Sequence, residues 1–306
     1  MIEKTFYSNG KLLITAEYLV LDGALALALP TKKGQSLSVE SSVEKGLQWS
    51  SLDENKNRWF EAKIDLNQLK NELPKANLRE PKARLLQILA AAQAINPLFL
   101  AKNDKIQVKT ELGFPRDWGL GSSSTLINNV ANWAEINPYA LLKQTFGGSG
   151  YDIACAQHDK PIFYHLKDQK PVIEEVDFAP DFSENIFFVH LNQKQNTRDA
   201  VKKYRNQPLL KLQEKIIKIS QLTRSILQAT TLAEFEQLLT QHEAILSELL
   251  DIPPVKSRLF PDFKGSIKSL GGWGGDFIMV TGLQRDMKYF KDKGFATIIP
   301  YKTMIL

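Results

Sequence analysis

Residues 115–124 are Pro115-Arg116-Asp117-Trp118-Gly119-Leu120-Gly121-Ser122-Ser123-Ser124. Apolar residues at helical spacing follow, at Leu126, Ile127, Val130, Trp133 and Ala134. A glycine turn before a helix leaves the first backbone N–H groups without partners, and the helix dipole adds partial positive charge there. The stretch therefore predicts a phosphate-binding loop made of Gly119, Leu120, Gly121, Ser122, Ser123 and Ser124.

The glycines and serines of this loop allow two interpretations. Glycine lets backbone approach phosphate oxygens closely, and serine hydroxyls can contact phosphate or hold Mg²⁺. The same residues are also typical of an ordinary helix start with a serine cap. The loop is not a Walker A motif, because no Gly-Lys-Ser/Thr closes it, and it lacks the third glycine of the dinucleotide fingerprint.

Two further segments, together with this loop, resemble the motifs of the GHMP kinases. The pattern Pro-x-x-x-Gly-Leu-Gly-Ser-Ser resembles their phosphate loop, and residues 10–21 resemble their N-terminal Gly-Lys…Gly-Glu motif. Ala16 stands where the family commonly has glycine, and Asn9 where it often has proline. Residues 148–154, Gly-Ser-Gly-Tyr-Asp-Ile-Ala, resemble the segment that carries the catalytic aspartate in mevalonate and phosphomevalonate kinases.

A glycine cluster at residues 271–275, Gly-Gly-Trp-Gly-Gly, lies near the C-terminus. Its glycines predict that backbone lies very close to another group, although an irregular hairpin would use them too. The cluster is similar to the family's third motif, which folds against the phosphate loop, and Trp273 replaces a small residue there. Residues 192–201 are similar to the acceptor-site segment of mevalonate-pathway kinases, but Thr197 is equally typical of a helix cap.

The resemblance implies a role for each of these residues. Asp152 would accept or orient the acceptor proton, and Lys11 would keep Asp152 ionised and neutralise charge on the transferred group. Ser123 would hold Mg²⁺. The implied ATP contacts are the loop residues with Gly272 and Gly274, and the implied substrate contacts are Glu17, Lys194, Thr197 and Arg198. Asp152 is also typical of a helix cap, and Leu141 stands near the place of an acidic Mg²⁺ ligand in mevalonate kinases.

The expected fold is α+β, in two domains. The resemblance implies an N-terminal domain like ribosomal protein S5 domain 2 over residues 1–170, a ferredoxin-like domain over residues 171–306, and ATP in the cleft between them. Local patterns predict a strand over 104–112 leading into the loop, a turn at Ser8-Asn9-Gly10, and helices over 82–95, 208–228, 231–250 and 283–292.

The composition is that of a globular protein. The chain has 306 residues, of which 43% are hydrophobic and 24% charged. The net charge of +5 is scattered, so we expect no nucleic-acid partner, while a mild excess suits an anionic acceptor. No apolar run reaches the length of a membrane span. The single cysteine, Cys155, and the absence of a signal-peptide pattern favour a cytoplasmic protein.

The function implied by the resemblance is transfer of the ATP γ-phosphoryl group, with Mg²⁺, to a small anionic or hydroxyl acceptor. The resemblance implies the mevalonate-pathway branch, with phosphomevalonate or mevalonate as the acceptor. Three details, Glu17-Tyr18, Gly148-Ser149-Gly150 and Gly274-Gly275-Asp276, resemble phosphomevalonate kinases more than mevalonate kinases. The alternatives are a diphosphomevalonate decarboxylase-like enzyme and a non-catalytic protein with the same fold. A monomer and a homodimer are both compatible with the sequence.

Overall fold

The computed structural model describes residues 4–69, 80–101, 105–193, 204–205, 211–273 and 275–306. Runs of strands and runs of helices follow one another in these residues, as expected of an α+β fold. The strands described are β1 (Lys4–Leu13), β2 (Ala26–Ser41), β3 (Gly46–Leu52), β4 (Arg58–Ile64), β5 (Lys105–Leu112), β6 (Ile162–Lys167), β7 (Lys170–Glu175), β8 (Ile186–His190), β9 (Ile267–Ser269), β10 (Phe277–Thr281) and β11 (Ile298–Pro300). The α-helices described are α1 (Pro81–Ile95), α2 (Ser122–Ala134), α3 (Pro138–Thr145), α4 (Tyr151–Gln157), α5 (Leu212–Gln228), α6 (Leu232–Leu250), α7 (Val255–Leu259), α8 (Lys288–Asp292) and α9 (Tyr301–Met304).

The chain divides into two compact units, each built from separate stretches. The first takes its described residues from Met1–Gly10, Lys33–Arg116 and Leu120–Gln157. The second takes them from Lys11–Lys32, Asp117–Gly119 and His158–Leu306. Strands β1 and β2 therefore each contribute residues to both units. The domain division at residue 170 stays a prediction.

In the first unit, a mixed sheet packs against helices α1 to α4. Its strand order is β4-β3-β5-β2, with β3 and β5 parallel and the other neighbours antiparallel. Alternate residues of β5 are buried, so one face of this strand belongs to the core. The buried side chains of α1 lie at helical spacing, at Leu85, Ile88, Leu89 and Ala92, which confirms the amphipathic helix predicted there.

The expected turn at Ser8-Asn9-Gly10 is wrong, because β1 continues through it. The Ser8 hydroxyl is fully buried and donates to Oδ1 of Asn129 at 2.7 Å. It also accepts from Nδ2 of Asn128 at 2.9 Å. Polar residues that favour turns can stay in a buried strand when their hydrogen bonds are made inside the protein. Here the partners come from α2, which is remote in sequence.

In the second unit, a four-stranded antiparallel sheet has the order β11-β8-β10-β9. All residues of β8 and β10 are buried, and His190 pairs with Phe277 in their register. Helix α5 packs against α6, and α6 packs against β9. The expected helix over 283–292 is instead a 3₁₀ turn, Gln284–Met287, followed by α8. None of the helices in the described ranges is both long and apolar enough to span a bilayer.

Candidate functional site

The phosphate loop has the strand–loop–helix context that its sequence predicts. Strand β5 ends at Leu112, and α2 begins at Ser122. Gly119 and Gly121 both have positive φ, at 65° and 92°, a region that glycine enters without the Cβ penalty. Gly121 is the N-cap of α2, and as a glycine it has no side chain that could accept a capping hydrogen bond. The serine-capped helix start is therefore not what the structure contains.

The three serines of the loop differ in exposure. The Ser124 side chain is buried, and its hydroxyl donates to the backbone oxygen of Gly121 at 2.8 Å. Ser122 is half-buried, whereas Ser123 is exposed. Ser123 thus has the access to solvent that a ligand of Mg²⁺ or phosphate needs. Leu120 is fully buried, so only its backbone could serve a ligand.

Within the second unit, Gly119 lies against Asp276. A Cβ added to Gly119 would be 2.1 Å from Oδ2 of Asp276, far inside any allowed contact. Asp276 ends the glycine-rich segment, residues 271–276, of which Gly274 lies outside the described residues. The Trp118 ring also packs edge-on against Phe277, with centroids 5.5 Å apart. This contact is between the Gly119 backbone and the side chain of Asp276, so the close backbone approach predicted from the glycines of residues 271–275 stays a prediction.

Trp273 and Gly272, the middle of the same segment, are buried. Trp273 is 4% exposed and has a positive φ of 55°, which is unusual for a bulky residue. Its indole Nε1 is buried without a hydrogen-bond partner among the described residues. Trp273, which replaces a small residue of the family's motif, is thus a buried side chain in an unusual backbone conformation.

Asp152 lies in the first turn of α4, in the first unit. The residue is half-buried, and its Oδ1 accepts from the backbone N–H of Ile153 at 3.1 Å. Cys155, one turn further, is fully buried. Burial raises the pKa of the Tyr139 phenol, and the negative charges of Cys155 and Asp152 add to the rise. Leu141, near the position of the acidic ligand in mevalonate kinases, is a core side chain of α3.

The remaining predicted residues fall into two groups. Lys11, in β1, is half-buried and belongs to the second unit, as does Glu17. Lys194, Thr197 and Arg198 lie outside the described residues. Their predicted contacts with substrate stay predictions.

Glu17 is part of a buried charge cluster, which we define as Glu17, His242, Glu243 and Lys268. Each of these residues is at most 3% exposed. The Lys268 ammonium donates to Oε1 of Glu17 and lies 3.1 Å from Oε1 of Glu243. Nothing in the sequence indicates that the last three residues are buried. His242 and Glu243 lie in an amphipathic helix, and Lys268 lies between Ile267 and Ser269, so all three look like positions exposed to solvent.

Burial dominates the electrostatics of this cluster. Burial raises the pKa of Glu17 to about 7. The charge of Lys268 lowers this pKa, and the charge of Glu243 raises it. Burial also raises the pKa of Glu243, again against Lys268. Burial alone would lower the pKa of Lys268, but the two carboxylates outweigh it and raise that pKa. Burial and the charge of Lys268 hold the pKa of His242 well below its usual range.

Comparison with known proteins bears on the fold. No family model matches the chain, and no curated protein matches it. Among solved structures, it is similar to the mevalonate kinase of Methanococcus jannaschii, with a TM-score of 0.69 and 15% identity over 97% of this chain and 96% of the other. It is similar to the Streptococcus pneumoniae phosphomevalonate kinase in complex with phosphomevalonate and AMPPNP, with a TM-score of 0.68 and 15% identity over 97% and 99%. The chain has the GHMP kinase fold.

The same fold is found in a mevalonate diphosphate decarboxylase from Legionella pneumophila, with a TM-score of 0.59 and 10% identity over 97% of this chain and 100% of the other. The α+β two-domain GHMP kinase fold predicted from the motifs is confirmed. Kinases and a decarboxylase share this fold, so the reaction must be argued from the residues of this chain.

Proposed function

We propose that this chain is an ATP-dependent kinase of the GHMP type, which transfers the γ-phosphoryl group to an oxygen of a small acceptor. The observation that carries the proposal is the start of α2, where the N-cap is Gly121, which has no side chain to cap the helix. Such a start offers backbone N–H groups and the positive end of the helix dipole to phosphate. The AMPPNP in the Streptococcus pneumoniae complex supports ATP as the nucleotide.

Phosphoryl transfer depends mainly on positioning and on neutralising charge. Residues 119–124 would bind the phosphates through their backbone, with Gly272 and Gly274 as further nucleotide contacts. Among the described residues, no group of three or more His, Cys, Asp or Glu side chains fits a metal ion. Mg²⁺ nonetheless fits a site with one protein ligand, because it keeps several waters and binds substrate phosphates. The exposed Ser123 hydroxyl would be that ligand, and the ion would neutralise phosphate charge.

Asp152 is the proposed general base. A hydroxyl acceptor is a poor nucleophile until its proton has an acceptor, and a carboxylate within hydrogen-bond reach supplies one. Its half-buried place in the first turn of α4 is compatible with that role. In the second unit, Lys11 would neutralise charge on the transferred group.

We further propose mevalonate or phosphomevalonate as the acceptor. The support is the similarity of the fold to mevalonate and phosphomevalonate kinases and the resemblance of residues 192–201 to their acceptor segment. Lys194, Thr197 and Arg198 are the proposed contacts with that acceptor. Glu17, the fourth contact that the motif implies, is 1% exposed and bound to Lys268, so a direct contact would need the buried charge cluster to open. The mild positive charge of the chain favours an anionic molecule.

Two other functions are favoured by particular observations. The fold shared with the Legionella pneumophila decarboxylase makes ATP-dependent decarboxylation of diphosphomevalonate the second candidate. Leu141 in the core and Trp273 in the glycine-rich segment favour a non-catalytic binding protein. These candidates differ in product, since the decarboxylase releases CO₂ and the binding protein turns over no ATP.

The test is a coupled assay of ADP release with mevalonate, phosphomevalonate, diphosphomevalonate, homoserine and galactose, run with the wild type and with Asp152→Asn. We expect turnover with one mevalonate-pathway acceptor and no CO₂. Asp152→Asn keeps the shape and removes the charge, so kcat should fall by about 10²- to 10⁴-fold while the KM for ATP changes little.

The matched control is Asp159→Asn, which removes an exposed carboxylate just after α4 and should keep wild-type kcat. Asparagine caps a helix as well as aspartate does. If folded Asp152→Asn works within a few-fold of the wild type, Asp152 is a cap and not the base. ADP release accompanied by CO₂ would establish the decarboxylase instead.

A further inference from the structure

The buried charge cluster joins three remote parts of the second unit. Glu17 comes from the segment after β1, His242 and Glu243 come from α6, and Lys268 comes from β9. Removing one partner of a buried ion pair leaves an uncompensated charge in the interior, which is strongly destabilising. The cluster can therefore determine where β9 ends and how the glycine-rich segment begins.

The segment around Glu17 is held in an unfavourable conformation to bring its carboxylate inside. Ala16 and Tyr18, on either side of it, both have a φ of 64°, in the left-handed region that costs energy for residues other than glycine. The backbone N–H of Ala16 donates to Nε2 of His242 at 3.0 Å. Since that nitrogen accepts a hydrogen bond, the neutral ring carries its proton on Nδ1, in agreement with the lowered pKa of His242.

Lys268 connects the cluster to the glycine-rich segment. Its Nζ donates to the backbone oxygen of Ser269 at 2.7 Å, and the Ser269 hydroxyl donates to Oε2 of Glu243 at 3.0 Å. The ammonium also lies 5.9 Å from the centre of the Trp273 ring. The segment that starts after Ser269 ends at Asp276, whose carboxyl group lies against Gly119. The contacts thus run from the cluster to the first glycine of the phosphate loop.

Buried polar atoms without partners are concentrated at the same place. Oε2 of Glu17, Nδ1 of His242 and Nε1 of Trp273 make no hydrogen bond among the described residues. Unpaired polar atoms in a buried site cost free energy. With Oε1 of Glu243, four such atoms lie in or beside the cluster, so the free energy of unfolding is lower than it would be if they were hydrogen-bonded.

We propose that Glu17 and Lys268 are positioning residues, which hold the glycine-rich segment in the conformation that binds nucleotide. The role differs from the contact with substrate that the motif implies for Glu17. It rests on the proposed function only in naming ATP as the ligand of the segment. Because Lys268 holds the backbone of Ser269 directly, a change in the charge of Glu17 shifts the lysine and with it the start of the segment.

The proposal implies a dependence on pH near neutrality. Glu17 is faced by Lys268 from β9 and by His242 and Glu243 from α6. His242 stays neutral in this range, because its pKa is low, and Lys268 stays charged, because its pKa is high. Burial raises the pKa of Glu17 to about 7, so Glu17 changes charge between pH 6 and 8.

The experiment is hydrogen–deuterium exchange of a peptide covering residues 269–277, at pH 6, 7 and 8, corrected for the intrinsic exchange rate. Wild type, Glu17→Gln and Lys268→Met are compared with Glu248→Gln. Glu248 also lies on α6 and pairs with a lysine, Lys215, but its side chain is 74% exposed. Affinity for a fluorescent ATP analogue is measured on the same samples.

We expect exchange of this peptide at pH 8, where Glu17 is ionised, to rise about 10- to 100-fold in Glu17→Gln and Lys268→Met, with α2 unchanged and Glu248→Gln like the wild type. The wild-type peptide should exchange faster at pH 6 than at pH 8, because protonated Glu17 holds Lys268 less strongly, and Glu17→Gln should remove that difference. Wild-type data alone suffice if the variants fail to fold, since a peptide with the same corrected exchange at all three pH values overturns the proposal.

Two other results separate the positioning role from the proposed function. If the peptide responds as expected but no form binds the ATP analogue, the positioning role stands and the nucleotide function fails. If all forms bind the analogue equally and the peptide exchanges alike in all of them, the positioning role is overturned. A rise spread evenly over the whole second unit overturns it too, because the residues would then serve global stability only.

Discussion

At the scale of single residues, Gly119 shows how strictly one position can be specified. Its φ of 65° favours glycine, and its missing side chain leaves room for the Asp276 carboxyl group. The sequence predicted the need for glycine here, because a phosphate loop requires close backbone approach. It could not predict Asp276 as the neighbour, since the two residues are more than 150 positions apart and nothing local couples them.

Gly119→Ala should destabilise the protein more than a glycine substitution of equal backbone strain. The matched control is Gly147→Ala, whose φ is 67° and whose added Cβ meets no atom within 4 Å. We expect about 1–2 kcal/mol from the left-handed conformation in the control, and about 1–3 kcal/mol more in Gly119→Ala from overpacking. Urea denaturation of both variants measures the difference. Equal losses would show that Asp276 moves aside freely.

At the scale of one element, α2 buries polar side chains along with its apolar ones. Asn129 donates from Nδ2 to the backbone oxygen of Gln35 at 2.9 Å, and Thr125 donates to Oε1 of Gln35 at 2.7 Å. The apolar spacing predicted the helix correctly but not its buried asparagines, because a pattern of hydrophobicity assigns polar residues to solvent. What decides their burial is the presence of partners on β1 and β2.

Asn129→Ala should cost stability, since the Ser8 hydroxyl loses the oxygen to which it donates and the Gln35 backbone oxygen loses the Asn129 amide. Two lost hydrogen bonds to buried groups are worth about 2–4 kcal/mol. Asn132→Ala, at an exposed position of the same helix, should stay within about 0.5 kcal/mol of the wild type. Thermal unfolding followed by circular dichroism compares the two. A small loss in Asn129→Ala would mean that water replaces the amide without cost.

At the scale of the whole molecule, the motifs of the sequence predicted the fold, but the sequence did not predict which stretches of chain make up each compact unit. The strand–loop–helix pattern at α2 and the glycine-rich segment are local signals, because each can be recognised from one short stretch of sequence. The two compact units draw their residues from interleaved stretches of chain, and the buried charge cluster joins residues 17 and 268. Such arrangements depend on long-range pairing, for which a single sequence carries no signal.

The stability of the whole chain should depend on pH through Glu17. Its pKa is raised to about 7 in the folded protein, so the folded state binds more protons than the unfolded state between the two pKa values. Stability supplied by the protonated form is therefore lost as pH rises from about 4.5 to about 7. Free energies of unfolding at pH 5, 6, 7 and 8 should show a steeper fall in the wild type than in Glu17→Gln. Parallel curves would place the pKa of Glu17 near its unfolded value.

Cys155 is the chain's single cysteine and lies fully buried in the short helix that carries Asp152. A thiol reagent can reach it only when the structure around that helix opens, so the rate of modification measures opening of the region that holds the proposed catalytic carboxylate. Because the chain has no second thiol, each modified molecule has reacted at Cys155. The protein thus carries its own reporter group at the place where a bound acceptor should slow the motion, without any label having to be introduced.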